Sequence, residues 1–279
     1  MSERYQVKVI ARMHSLFPTK FGIPRQSGLV EQLHSLVVFE PEYRDPQALR
    51  GIEEFSHLWL IWQFSQAVRE DWSPTVRPPK LGGNRRMGVF ATRSPFRPNA
   101  IGLSSVKLEG IEKHPQYGMV LRVSGADLMD GTPILDIKPY LPFTDSHPQA
   151  TGGFTDGLHL QPLKVVIPED LKQTIPADQL DALTGVLEQD PRPSYQDDPQ
   201  RVYGFFLWQS GNQFHRQRRH PHRLQGGGQS GKSEQQKGNA PRCVPFSLQR
   251  KESVHVGDGF VGQTDDCLIG AARKVRQSS

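Results

Sequence analysis

The sequence predicts a mainly β chain: an antiparallel barrel or sandwich over the first ~140 residues, a small α+β unit behind it, and a basic tail. Three observations predict this. Short apolar runs alternate with period two before residue 144 and show little helical periodicity. Turn signals at Gly82-Gly83, Pro98-Asn99 and Asp130-Gly131 punctuate them. Beyond residue 144, the leucines of Pro176–Glu188 are spaced for a helix face.

Taken in order, Tyr5, Val7, Val9 and Ala11 alternate with Gln6, Lys8, Ile10 and Arg12, which predicts a first strand. Leu58, Leu60, Trp62 and Phe64 alternate with Trp59, Ile61, Gln63 and Ser65, and both faces are apolar enough for a central strand. Shorter β-like runs follow at Met87–Thr92, Ser104–Gly110, Met119–Val123 and Ile134–Pro139. Thr144–Gly157 is rich in Ser, Pro and Gly, so the first domain is expected at 1–143 and a linker at 144–160. Leu180, Leu183 and Leu187 then fall at i, i+3 and i+7 of a helix, with Pro176 at its first turn. Asp190–Tyr195 ends that helix and Val202–Trp208 reads as a strand, giving a small α+β domain over 161–208. Such a strand needs a partner, and none is expected after it, so this domain reads as incomplete.

From Gln209 the pattern collapses. Phe, Ile, Leu and Val make up 12 of the last 71 residues, below the ~20% that accompanies folding. Residues 209–279 therefore read either as a disordered basic arm that binds RNA or as a segment thrown out of register by a reading-frame change near Trp208.

At 279 residues, 35% hydrophobic and 23% charged, the composition is that of a soluble globular protein. The longest apolar run, Leu58–Trp62, is far short of the ~20 residues of a membrane span. The N-terminus carries no signal-peptide hydrophobic region, so a cytoplasmic location is expected. Cys243 and Cys267 have no CxxC or Cys/His spacing, which argues against a disulfide framework or a metal site. The net charge of +5 is unevenly spread: from Gln209 on, 12 basic residues meet 5 acidic ones. The body is nearly neutral, with its positive charge gathered in one place, which favours a local anion site over a broad nucleic-acid coat.

That place is the stretch between Trp72 and Leu108, which holds Arg77, Lys80, Arg85, Arg86, Arg93, Arg97 and Lys107 and no acidic residue. Guanidinium groups grip phosphates or carboxylates in bidentate fashion, and N–H groups near Gly add donors. Two more segments bear chemistry. Pro24-Arg25-Gln26 puts a cation and an amide in a turn, and Asp127–Tyr140 sets carboxylates and a turn ahead of a strand. His57, at the start of a hydrophobic strand, reads as a satisfied core histidine. No GxGxxG, Walker, GxSxG or HExxH pattern occurs. Cations, amides and carboxylates without an evident nucleophile suit a zwitterionic, nucleoside-like ligand better than hydrolysis.

Five blocks carry a family resemblance: PRQxGLV at Pro24–Val30, RGIEEFSHLWL at Arg50–Leu60, the run Pro74–Ser104, DLMDGTPILDIKPYLPF at Asp127–Phe143, and DPRPSY at Asp190–Tyr195. Over roughly residues 5–208 the chain resembles the TrmO family, the TsaA-like tRNA adenine-N6-methyltransferases. The resemblance implies an antiparallel β-barrel that uses S-adenosylmethionine to methylate N6 of threonylcarbamoyl-adenosine beside the anticodon of threonine tRNA. It implies a homodimer with donor sites near the subunit interface and a C-terminal domain that recognises tRNA. By matching motif, the donor site would use Pro24, Arg25, Gln26, Ser65, Gln66, Arg93, Leu103, Asp127, Leu128, Met129, Asp130, Gly131 and Thr132. Enterobacterial relatives carry His where this chain has Ser65. Arg93 or Arg97 is expected to bind the threonyl carboxylate or a phosphate, and Asp130 or Tyr140 to take the N6 proton. Arg25, Arg93 and Asp130 are expected to converge on one cleft at the rim of the barrel. A barrel that binds S-adenosylmethionine or RNA without turnover, and an inactive truncated methyltransferase, are the rival readings.

Overall fold

The computed structural model describes residues 4–68, 71–78, 85–157, 162–192, 202–207, 242–250 and 253–256. Lys80, the Gly82-Gly83 turn, Ser194, Tyr195 and Trp208 lie outside them.

Six strands make the first unit: β1 (Ala11–His14), β2 (His34–Phe39), β3 (His57–Gln63), β6 (Ile101–His114), β7 (Gly118–Ser124) and β8 (Pro133–Pro139). Between β3 and β6, β4 (Thr75–Val76) and β5 (Met87–Gly88) form a separate two-stranded ribbon. The six pair antiparallel in the cyclic order β1-β2-β7-β6-β3-β8. Because Ala11 of β1 pairs with both Phe39 of β2 and Ile134 of β8, the ring closes and no strand is left as an edge.

Period-two alternation decides what fills the interior. Ala11, Met13, Val37, Leu58, Leu60, Val106, Leu121, Val123 and Ile134 are all buried in one core. Each large side chain enclosed this way contributes about 2 kcal/mol of transfer free energy. β3 is central as expected, with β6 on one side and β8 on the other. Gly102 is fixed by packing: a Cβ there would stand 2.3 Å from the Trp62 indole.

The first strand departs from the expected span. It begins at Ala11, and Tyr5 and Val7 are 80% and 66% exposed. Pairing starts where Ile10 donates to the Ile134 carbonyl, so the earlier alternation has no sheet to lie on. The run Met87–Thr92 also shortens, because a 3-10 turn at Val89–Ala91 follows β5. The Asp130-Gly131 turn forms as expected, with Gly131 at φ 76°.

After a short helix α1 (Pro142–Asp145), the second unit contains β9 (Lys164–Val166), α2 (Glu169–Thr174), α3 (Ala177–Glu188), β10 (Val202–Leu207), β11 (Arg242–Arg250) and β12 (Ser253–Val256). The expectation that the 202–208 strand has no partner is overturned. β11, from the tail, pairs antiparallel with β10 from Val202↔Ser247 to Leu207↔Arg242, and the sheet runs β10-β11-β12-β9. A strand's unpaired N–H and C=O groups need partners, and here they come from about forty residues downstream in sequence. The rest of the tail lies outside the described residues.

A second core holds Ile167, Leu171, Leu183, Val186, Leu187 and Tyr203 together with Phe17, Val30 and Leu33 from the β1–β2 connection. At Gly185 of α3 a Cβ would meet Val30 Cγ1 at 2.7 Å, so the Val30 side chain packs directly on the helix backbone. The connection that carries Pro24–Gly28 is thus held by the second unit. Among the described residues no helix is long and apolar enough to cross a membrane.

Candidate active site

Three of the chemistry-bearing segments meet at one rim of the barrel. Gly28 N–H donates to the Gly125 carbonyl at 2.8 Å, seating the Pro24–Gly28 turn on the end of β7. Gly125 allows this approach: its φ is 73°, and a Cβ would stand 3.3 Å from the Gly28 backbone. Arg93 reaches the same place from the basic run and donates to the Gln26 side-chain carbonyl.

Asp127 lies beneath. Its carboxylate accepts the Ser104 hydroxyl at 2.6 Å, and Ser104 Oγ in turn accepts the Trp62 indole N–H at 3.0 Å. Burial pushes the Asp127 carboxyl above the usual carboxylate range, opposed by the Ser104 hydroxyl, the Arg93 charge and the Ser27 N–H. Ser104 is 1% exposed and donates inward, so it positions a carboxylate and cannot act as a nucleophile.

The Asp127–Thr132 turn is locked to β1. Thr132 donates its N–H and hydroxyl to the Met129 carbonyl, Gly131 N–H donates to Met13, and Asp130 N–H donates to Phe17. Leu128 and Thr132 are buried, while Met129 and Gly131 are partly exposed.

Arg25, Arg93 and Asp130 are each held by a different partner. Arg25 turns away and donates to the Arg192 carbonyl at 3.1 Å. Partial desolvation lowers its pKa from the usual arginine value, against the pull of Asp190. Arg192 grips Asp190 with two hydrogen bonds, at 2.6 and 2.8 Å. Asp190 has φ 49°, a left-handed residue just past the end of α3. Arg25 therefore links the Pro24–Gly28 turn to the second unit. Asp130 points its carboxylate at the Ser15 N–H, 3.3 Å away, and braces the turn. Gln26, Arg93 and Asp127 meet, with Pro24 buried beneath the turn.

The remaining residues divide by position. Ser65 and Gln66 stand exposed just beyond β3, at the Ile101 end of β6, the same end of the barrel as this cluster. Leu103 is on β6 next to Ser104 but faces outward, 54% exposed. Arg97 is half-buried and donates to the Val89 and Thr92 carbonyls at 3.5 and 3.3 Å, folding its own loop. Tyr140 follows the far end of β8, where its ring sits 5.6 Å from that of Trp59 and 6.2 Å from that of His57. A seven-residue strand separates it from the Asp130 turn, roughly 20 Å. His57 proves only half-buried, with its ring nitrogen 2.9 Å from Ser56 Oγ.

Sequence reasoning missed Ser104, Trp62 and the Asp190–Arg192 pair. Ser104 had a signal: it is the polar member of an inward-facing series with Val106 and Leu108. A concavity lined by Leu49, Arg50, Ile111 and Met119 lies at the β6–β7 hairpin end, away from the cluster.

A family model described as the tRNA-methyltransferase O N-terminal domain matches residues 12–146. A second, described as the TrmO C-terminal domain, matches 161–221 and so runs past Trp208. A relative from Escherichia coli strain K12 named tRNA (adenine(37)-N6)-methyltransferase is 40% identical over 210 residues, 73% of this chain and 89% of its own length. One of the same name from Eikenella corrodens is 51% identical over 150 residues, 53% and 84% of the two chains. A solved structure of TrmO from Pseudomonas aeruginosa superposes with TM-score 0.64 at 30% identity, covering 92% of this chain and 98% of the other. With both domain models matched in order and the relatives covered over most of their length, the chain belongs to the TrmO family.

Proposed function

We propose that this protein transfers the methyl group of S-adenosylmethionine to N6 of threonylcarbamoyl-adenosine beside the anticodon of threonine tRNA, in the cytoplasm. The coarser activity, S-adenosylmethionine-dependent methylation of tRNA, is that of its family. The observation that carries the reading is the meeting of Gln26, Arg93 and Asp127, from three separate motifs, at one barrel rim.

That donor set fits a ligand with an amino-acid half and a nucleoside half. The Arg93 guanidinium suits a carboxylate, the Asp127 carboxylate suits an ammonium or ribose hydroxyls, and the Gln26 amide can serve either. When bound, S-adenosylmethionine supplies an electrophilic methyl group on a sulfonium. The residues of the chain then bind, align and exclude water, with no covalent intermediate on the protein. The N6 proton of an acylated adenine is acidic enough for a weak base. Asp130 accepts the Ser15 N–H through one oxygen, which braces the turn. Tyr140, just past the far end of β8, would serve a donor site of a second subunit in the homodimer that the family resemblance implies. Exposed Ile101 and Leu103, on the outer face of β6, suit such a contact.

The test is transfer of labelled methyl to threonine tRNA with and without the threonylcarbamoyl group. Label confined to the modified tRNA is expected. Equal label on both would refute the substrate assignment, and tight donor binding with no transfer would favour a non-catalytic sensor.

A further inference from the structure

We propose that Trp72 and Phe90 form a stacking surface for unpaired bases of single-stranded RNA, flanked by Arg77 and Arg85 as phosphate contacts. The proposal rests on the reading of tRNA as substrate and assigns part of its binding surface. The two rings lie 6.0 Å apart with planes tilted by 31°, and they are 51% and 74% exposed. The local fold forces Phe90 out. Val89 N–H donates to the Pro74 carbonyl at 2.9 Å and Val89 is 1% exposed, so the next side chain, Phe90, projects to solvent. Arg86 Nε donates to Thr75 Oγ1 at 2.9 Å and ties β5 to β4. Arg77 and Arg85, at the ends of this ribbon, are exposed.

Exposed aromatics interleaved with cations, with no acidic residue between Trp72 and Leu108, match what a single strand presents: π faces and phosphates. In sequence, Phe90 lies three residues before Arg93 of the proposed donor cluster. The Val89 carbonyl accepts from Thr92, and the next residue, Arg93, reaches Gln26. A strand held on Trp72 and Phe90 would thus lie next to the place where a base has to be presented. A second copy of this chain is a poorer occupant, since an isologous contact would set this cationic patch against itself.

The experiment uses the full-length protein and fluorescently end-labelled threonine tRNA, with binding read by fluorescence anisotropy as a function of salt, S-adenosylmethionine affinity by calorimetry, and mass by sedimentation. Trp72→Ala and Phe90→Ala should each weaken tRNA binding about tenfold, leaving donor affinity and mass unchanged. Arg77→Ala and Arg85→Ala should each reduce the slope of log affinity against log salt by about 0.7. Unchanged tRNA affinity in both aromatic variants overturns the proposal, as does a change in mass, which would make the patch a subunit contact. A wild type that binds tRNA through these residues but transfers no methyl group would sink the proposed reaction and leave the stacking surface standing.

Discussion

A carboxylate drawn out of water is costly unless its charge is used, and Asp127 is the clearest such case. Its pKa is raised in the folded state, first by burial. Stability from this group is therefore full below the ordinary aspartate range and falls as pH rises through the raised pKa. Asp127→Asn, which keeps the shape and an acceptor for Ser104, should remove that dependence. Urea unfolding from acid to neutral pH should show wild type losing stability relative to the variant as pH rises. A difference that is flat or widens in the opposite direction would mean that burial does not govern this carboxyl. The variant should also bind S-adenosylmethionine more weakly, because the role assigned to Asp127 is to accept from the ligand.

The β1–β2 connection has two jobs. Its Phe17, Val30 and Leu33 belong to the second core, while its tip supplies Gln26 to the barrel rim. Arg25 closes the arrangement on the Asp190–Arg192 pair. Asp190→Ala leaves the Arg192 guanidinium, 9% exposed, without its bidentate partner. A cost of about 2 kcal/mol is expected, local to the second unit. Hydrogen exchange should quicken in α3 and remain slow in β3 and β6; unchanged exchange in α3 would contradict the link.

Much of this was readable in advance where the pattern is local. β3 and β8 stand where alternation put them, and α3 stands where Leu183 and Leu187 required a buried stripe. β2 escaped notice because Val37, Val38 and Phe39 are all buried, so its burial does not alternate. The role of Arg25 was illegible because it depends on a carbonyl 167 residues away in sequence. The motif locates the turn, but only the fold decides which way each side chain leaves it.

For the molecule as a whole, the segment that joins two barrel strands belongs to the second core, and the proposed chemistry sits where its tip meets the barrel rim. The second unit is completed from the tail, which composition averaged over 71 residues had hidden. Val244, Phe246 and Leu248 recur at every second position, a strand signal diluted by the polar residues around it. The tail therefore adds two strands to the sheet of the second unit.

The central claim is that Gln26, Arg93 and Asp127 form the S-adenosylmethionine site. It is tested most directly by calorimetric titration of S-adenosylmethionine into wild type, Arg93→Ala and Asp127→Asn, with Lys113→Ala at the exposed hairpin end as control. Both site variants are expected to lose roughly tenfold or more in affinity while the control matches wild type. Wild-type affinity in both site variants would contradict the account.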